Sequence, residues 1–261
     1  MDEIVAEHVG SILRVQMNRP AKLNAMTSAM YVALAGIFND AANDEHTRVV
    51  LWHGAGDAFC AGNDIEDFLK HPPGPGESPQ AKLMEALVSF DKPIVAAVHG
   101  AAIGGGTTML THCDFIFAAE NTKFQMPFIN LALVPEFGSS CSVPARIGHV
   151  RAAELILLGA PFDGKRAAEW GLVTEAVSDK DALPKAIETA RKLAAKPAAA
   201  LQASKRLMKQ PFREQIKAAM KAENEEFSAQ VRSADAKEAL TAFLEKRKPD
   251  FTKGTKSPAT A

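Results

Sequence analysis

The 261-residue sequence has few cysteines and no metal-binding pattern. Its three cysteines, Cys60, Cys113 and Cys141, are widely spaced and form no CxxC pair. This spacing argues against a disulfide framework or a zinc site. The seven histidines form no HxH or HxxxH pair, so we expect no bound metal. Free cysteines favour a reducing compartment, and we expect a cytoplasmic protein.

The sequence also lacks a charge imbalance and a long apolar run. Thirty Lys and Arg against 31 Asp and Glu leave a net charge of -1, without the positive field that nucleic acids or anionic membranes require. No segment has the roughly 20 apolar residues of a membrane helix. The first ten residues are acidic where a secretory signal is basic, and the sequence does not end in SKL. We therefore expect neither a membrane nor a nucleic acid as partner.

The apolar patterning predicts an α/β fold. Ile4–Glu7 and Ile12–Met17 predict a β-hairpin, and Thr27 predicts the N-cap of a helix that continues through Phe38. Further strands alternate with helices, which indicates parallel pairing with helical crossovers. These predicted strands are Arg48–His53, Pro93–Val98, Asp114–Phe117 and Leu172–Val177, with one predicted helix at Ala81–Phe90.

Helix-forming residues dominate beyond about Leu183. We therefore divide the chain into a core, residues 1–183, and a helical C-terminal region, residues 184–261, with helix breaks at Pro197 and Pro211. The last dozen residues predict a frayed end. Residues 71–80 carry four prolines and two glycines, which predicts a mobile surface loop.

Two glycine-rich turns follow predicted strands, at Gly54–Ile65 and His99–Thr108. Neither matches GxGxxG or GxxxxGK[ST], so a dinucleotide or P-loop site is not indicated. Three successive glycines at a helix start leave N–H groups bare where the helix dipole favours negative charge. A second bare N–H in the Cys60–Gly62 turn would let two donors meet one oxyanion. Tight turns and close helix–sheet packing are the more usual explanation of glycines at a strand–helix junction.

Several segments together resemble the crotonase superfamily, also called the enoyl-CoA hydratase/isomerase family. The longest is Ile94–Asp114, and the others follow in the family's order: Asn18–Ala25, Ala58–Ile65, Leu158–Asp163, Ala168–Val173 and Ala242–Pro249. The resemblance implies a crotonase-like spiral of ββα units with a C-terminal helical region. It also implies a homotrimer or a dimer of trimers that acts on acyl-CoA thioesters without a further cofactor.

The resemblance also implies roles for individual residues. The backbone N–H groups of Ala61 and Gly105 match the oxyanion hole, and Glu136 matches the single glutamate of some 3-enoyl-CoA isomerases. Phe243 and Lys246 match C-terminal positions that contact CoA, if necessary in a neighbouring subunit. The remaining matches line the CoA or acyl chain: Lys22, Leu23, Ala25, Gly62, Asp64, Ile65, Thr108 and Phe128.

The predicted reaction depends on the residues that replace the hydratase carboxylates. Hydratases of this family carry two glutamates where this chain has Thr108 and Phe128. Hydration needs a group that deprotonates water and a source of the α-proton, whereas one base suffices for isomerisation of a 3-enoyl to a 2-enoyl thioester. Isomerisation by Glu136 is therefore the favoured function. An atypical enoyl-CoA hydratase and a noncatalytic acyl-CoA-binding oligomer are the alternatives.

Local environment gives further expectations. The apolar neighbours of Glu136 predict a raised pKa for its carboxyl, against the alternative of a solvent-facing turn residue. Asp64 and Asp114 are expected to support a helix start and a turn. Phe128, with Phe124, Met126 and Leu131 nearby, predicts an apolar acyl pocket, although core packing explains these residues equally well.

Overall fold

A computed structural model describes residues 2–71 and 78–253. Its strands are β1 (Ile4–Val9), β2 (Ile12–Met17), β3 (Val49–Gly54), β4 (Ile94–Val98), β5 (Ala101–Ile103), β6 (Phe115–Ala119), β7 (Lys123–Gln125) and β8 (Glu175–Val177). Its α-helices are α1 (Ser28–Asn43), α2 (Ile65–Lys70), α3 (Pro79–Ser89), α4 (Gly105–Thr108), α5 (Ser139–Ile147), α6 (His149–Leu157), α7 (Gly164–Glu169), α8 (Ala182–Ala194), α9 (Ala198–Gln230) and α10 (Ala234–Leu244). Short 3-10 turns include Pro20–Lys22, Met109–His112 and Ile129–Leu131.

The main sheet has the strand order β1-β2-β3-β4-β6-β8. β1 and β2 pair antiparallel around Gly10 and Ser11, so the predicted hairpin is confirmed. Each later pair of neighbouring strands is parallel, as the alternation of strands and helices predicted. β5 and β7 form a separate parallel pair.

Helices cover both faces of this sheet. β3 and β4 are buried along their whole length, as expected for central parallel strands. Alternate residues of β3 point to opposite faces: Trp52 packs with Phe38 of α1 on one face. On the other face, Ala186 and Ala190 of α8 lie over a smaller apolar cluster. Small alanines allow α8 to approach the sheet closely.

The predicted helix cap at Thr27 is confirmed, whereas one strand is shorter than predicted. Thr27 is the N-cap of α1, and its hydroxyl accepts the Met30 N–H at 3.2 Å. The predicted strand from Leu172 begins only at Glu175. The N–H groups of Leu172 and Val173 bond to the Ala167 carbonyl at the end of α7, so neither can join the sheet.

One of the two predicted helix breaks in the C-terminal region is absent, and a further break at residues 231–233 separates α9 from α10. Pro197 separates α8 from α9 as predicted, but Pro211 lies inside α9, so the predicted break there is wrong. Proline removes the N–H that would bond to the Leu207 carbonyl one turn earlier. Leu207 is 66% exposed, so water can hydrate that carbonyl and the helix continues. The division at residue 183 remains a prediction; the helical region itself begins with α8 at Ala182.

Two expectations fall partly outside the described residues. Residues 72–77 of the predicted loop and residues 254–261 of the predicted frayed end are not described. The described part of the loop ends at Ser78, whose hydroxyl caps α3 by accepting the Ala81 N–H at 3.1 Å. Among the described residues, no helix combines the length and the apolar character needed to cross a bilayer.

Candidate active site

Glu136 occupies a buried turn immediately before α5. It is 4% exposed, so the alternative of a solvent-facing residue does not hold. Its Oε1 atom has no hydrogen-bond partner within the described chain. A methyl group added to Gly105 would lie 2.9 Å from this oxygen. The carboxyl group therefore lies directly against the first residue of α4.

The environment makes Glu136 a weak acid. Burial and, to a smaller extent, the nearby Glu223 carboxylate raise the pKa of its carboxyl to about 8. Burial has this effect because it disfavours the charged form. The predicted rise in pKa is confirmed. A carboxyl with a pKa near neutrality can both accept and return a proton during a reaction.

The start of α4 presents an unpaired N–H beside this carboxyl. Gly104 precedes the helix with φ +56° and donates its own N–H to the Gln125 carbonyl at 2.9 Å. The N–H of Gly105, the first helical residue, donates to no acceptor in the described parts of the chain. N–H groups at a helix start lack intrahelical partners. Gly105 thus offers one donor for an anionic oxygen.

Tyr31 and Asn63 lie beside Gly105 at the start of α4. The Tyr31 hydroxyl donates to the Asn63 side-chain oxygen at 2.7 Å, and a methyl group on Gly105 would lie 3.1 Å from this hydroxyl. Burial, reinforced by Glu136, raises the pKa of Tyr31 well above its usual value, so the phenol keeps its proton. The backbone N–H of Asn63 has no acceptor within residues 2–71 and 78–253. Asn63 and Gly105 therefore each supply a bare N–H group at this site.

The predicted use of the Ala61 N–H is wrong in this structure. Ala61 donates its N–H to the Leu23 carbonyl at 3.0 Å, and Asp64 donates to Met26 at 2.9 Å. Two N–H groups in this segment, three residues apart, thus pair with residues 23–26, and the Asn63 N–H between them does not. Sequence reasoning missed Asn63 and Tyr31, and no pattern in the sequence marked either residue.

Two residues predicted to line the acyl pocket are buried. The Thr108 hydroxyl donates back to the Gly104 carbonyl at 3.3 Å, so its polar group is satisfied within the helix. Phe128 is 5% exposed and belongs to the main core with Phe124 and Met126. Neither side chain is a carboxylate substitute, and the acyl-pocket role of Phe128 remains a prediction.

The residues predicted to line CoA lie in two adjacent segments. Lys22 and Leu23 are exposed, while Ala25 and Ile65 are half-buried. Hydrogen bonds join residues 23–26 to residues 61–64, which include Gly62. These two segments therefore form one surface beside Asn63.

The supporting role predicted for Asp64 is confirmed, whereas Asp114 forms no turn or cap bond within the described chain and instead links the start of β4 to Lys205 of α9 at 2.7 Å. Asp64 caps α2 by accepting the N–H groups of Glu66 and Asp67, and its carboxylate pairs with Arg19 at 2.7 Å. Burial alone would raise the pKa of Asp64, but the Arg19 bond and the helix N–H groups hold it below its usual value. Asp114 accepts the Ile94 N–H at 2.8 Å.

Phe243 and Lys246 lie at the C-terminal end of α10 and just beyond it. Phe243 is 58% exposed, and Lys246 is exposed as well. Neither side chain forms a hydrogen bond or ion pair to the glycine-rich turns in the described structure. Their contact with CoA in a neighbouring subunit, and the trimer or dimer of trimers that it requires, remain predictions.

Comparison with known proteins identifies the class. The family profile described as Enoyl-CoA hydratase/isomerase matches residues 7–254, and the chain belongs to this family. The predicted crotonase-like fold is thereby confirmed. The structure of Pseudomonas aeruginosa OdaA superposes with a TM-score of 0.91 at 44% identity, covering 94% of this chain and 99% of that one.

The names of curated relatives include both hydratases and isomerases. A probable enoyl-CoA hydratase of Bacillus subtilis is 36% identical over 239 residues, covering 90% of this chain and 92% of that protein. Enoyl-CoA delta isomerase 2 of Rattus norvegicus is 31% identical over 253 residues, covering 94% of this chain and 64% of that protein. The choice between hydration and isomerisation therefore depends on the residues of the site.

Proposed function

We propose that this protein isomerises 3-enoyl-CoA thioesters to the conjugated 2-enoyl-CoA thioesters, with Glu136 as the single base. The observation that carries the proposal is one buried carboxyl oxygen without a hydrogen-bond partner, placed against Gly105, whose N–H is bare. The likeness to an enoyl-CoA delta isomerase supports the same reaction.

The reaction needs one proton to move between two carbons. The thioester oxygen accepts hydrogen bonds from the N–H groups of Asn63 and Gly105, which stabilise negative charge on that oxygen. The Glu136 carboxylate removes a proton from C2, and the C2–H electron pair forms the C1–C2 double bond of a dienolate. The protonated Glu136 then delivers the proton to C4. The C1–O double bond re-forms, and the remaining carbon–carbon double bond lies between C2 and C3.

Two further features support isomerisation over hydration. Thr108, at a position where hydratases carry a glutamate, has its hydroxyl bonded to the helix backbone. Phe128, at the other such position, is an apolar core residue. Neither can deprotonate water. The burial of Glu136 also shields a dienolate from side reactions with solvent.

The first experiment supplies 3-hexenoyl-CoA and follows the absorbance of the conjugated thioester. We expect turnover by the purified protein and a loss of about 10² to 10⁴-fold in kcat for Glu136→Gln. Glu226→Gln, an exposed glutamate on α9, is the matched control and should retain full activity. Full activity of Glu136→Gln would refute Glu136 as the base.

The main alternative is hydration of 2-enoyl-CoA, which the name of the Bacillus subtilis relative favours. The same assay separates the two reactions, because hydration of 2-hexenoyl-CoA removes the conjugated absorbance. Rapid hydration without any isomerisation would replace the proposed reaction. Binding of both thioesters without turnover of either would instead indicate a noncatalytic acyl-CoA-binding protein.

A further inference from the structure

The backbone that carries Glu136 adopts an unusual conformation. Phe137 and Gly138, the next two residues, both have left-handed backbone angles, with φ of +60° and +67°. For a bulky residue such as Phe137 this conformation is unfavourable. Surrounding contacts must therefore hold the turn. The Phe137 carbonyl lies 2.8 Å from Nε2 of His112, and this bond fixes one side of it.

Glu223 of α9 holds the other side. Its two carboxylate oxygens accept the N–H groups of Gly138 at 2.7 Å and Ser140 at 2.8 Å. These donors belong to the start of α5, where N–H groups lack intrahelical partners. Glu223 is itself only 6% exposed. Ile216 of the same helix packs so closely that a methyl group on Gly138 would lie 2.8 Å from its Cγ2 atom.

We propose that Glu223 is a positioning residue for Glu136: its carboxylate fixes the Phe137–Gly138 turn, and its negative charge keeps Glu136 a strong enough base to remove a proton from C2. This inference rests on the proposed function for its catalytic consequence. The geometric part, two hydrogen bonds from one buried carboxylate to the turn, stands independently of the reaction.

The surroundings of Glu136 make Glu223 the effective charged neighbour. Burial raises the pKa of the Cys60 thiol to about 12 and lowers that of His112 to about 3, so both are neutral near pH 7. Tyr31 of α1 also keeps its proton. Burial raises the pKa of Glu223 as well, but its two N–H donors favour the ionised form. Glu136 Oε1 receives no such donor, so burial disfavours the ionised form more strongly at Glu136 than at Glu223.

Glu223→Gln tests the inference because glutamine keeps the size of the side chain and removes its charge. The acid limb of kcat/KM against pH should move to lower pH, since Glu136 loses a neighbouring negative charge. The pH-independent kcat should fall about tenfold, because Glu136 becomes a weaker base and one of the two N–H bonds is lost. Glu226→Gln on the same helix should change neither quantity. A purely structural Glu223 would lower thermal stability without moving the acid limb.

A second readout does not depend on the reaction. The ¹³C resonance of the Glu136 carboxyl, assigned by its disappearance in Glu136→Gln, reports the ionisation of Glu136 directly. Glu223→Gln should shift its titration midpoint to lower pH even if the protein isomerises no thioester. An unchanged midpoint would overturn the inference while leaving the proposed function intact.

Glu223→Asp separates charge from geometry and serves if Glu223→Gln does not fold. Aspartate retains the charge but is one methylene shorter, so it cannot reach both N–H groups. We expect a Glu136 titration close to that of the wild type together with a reduced kcat. A wild-type kcat in Glu223→Asp would overturn the positioning role.

Discussion

At the scale of single residues, Gly105 shows how closely the candidate site is packed. A Cβ atom there would lie 2.9 Å from Glu136 Oε1 and 3.1 Å from the Tyr31 hydroxyl. Both distances are shorter than ordinary van der Waals contact, so the Glu136 carboxyl would have to move. The absence of a side chain at Gly105 therefore keeps the base, the phenol and the bare N–H close to one point.

Gly105→Ala should preserve the fold and remove most of the activity. Alanine suits a helix better than glycine, but its methyl group would occupy the space beside the bare N–H and displace Glu136. We expect kcat for 3-hexenoyl-CoA to fall about 10² to 10³-fold, similar to the loss of one oxyanion donor. Gly36→Ala on α1 is the control, because nothing lies within 4 Å of the added methyl. Equal activity of the two variants would contradict this geometry.

The sequence predicted the base and one N–H donor of the candidate site, but not the site's hydrogen-bond pattern. Glu136 and Gly105 followed from the family resemblance, and the raised pKa followed from apolar neighbours. The donor at Asn63 could not be predicted, because which N–H is free depends on how residues 61–64 pair with residues 23–26. Tyr31 reaches the site from α1, and helical periodicity predicts which face is buried but not which buried atom meets a distant turn.

At the scale of elements, α9 combines a long exposed surface with a buried functional end. Its first half carries exposed apolar residues such as Met208, whereas Met220, Glu223 and Phe227 are buried towards its end. The break at Pro211 was predicted because proline disfavours a helix interior. Local propensity does not include the packing of the rest of the helix. Tertiary contacts of α9 with α5 and α3 extend the helix past the proline.

Pro211→Ala should increase stability. Alanine restores the N–H that can bond to the Leu207 carbonyl and removes the ring that crowds the preceding turn. In a helix interior this exchange is worth up to about 3 kcal/mol. Thermal unfolding followed by circular dichroism should show a higher Tm than the wild type, whereas Gln210→Ala, at the adjacent exposed position, should change it little. A lower Tm for Pro211→Ala would show that α9 depends on its proline.

At the scale of the whole molecule, the fold makes ionisation of Glu136 unfavourable. Helices α1, α4 and α9 enclose Glu136 so completely that its carboxyl is buried and its pKa is about 8. In the unfolded chain the same carboxyl has a pKa near the ordinary value of about 4.3. The folded state therefore holds a proton on Glu136 over a pH range in which the unfolded state has released it.

This difference in pKa predicts that the free energy of unfolding depends on pH. Replacing Glu136 alone should remove this contribution. Because the folded-state pKa is the higher one, the stabilising proton is fully held below about pH 4, and its contribution is lost as pH rises to about 8. Glutamine cannot ionise, so the free energy of unfolding of Glu136→Gln should match that of the wild type near pH 4. At pH 9 it should exceed the wild-type value by at most about 5 kcal/mol. Denaturant unfolding at both pH values measures this gap, with Glu226→Gln as the control. A gap that stays constant with pH would mean that Glu136 ionises in the folded protein as readily as in the unfolded chain.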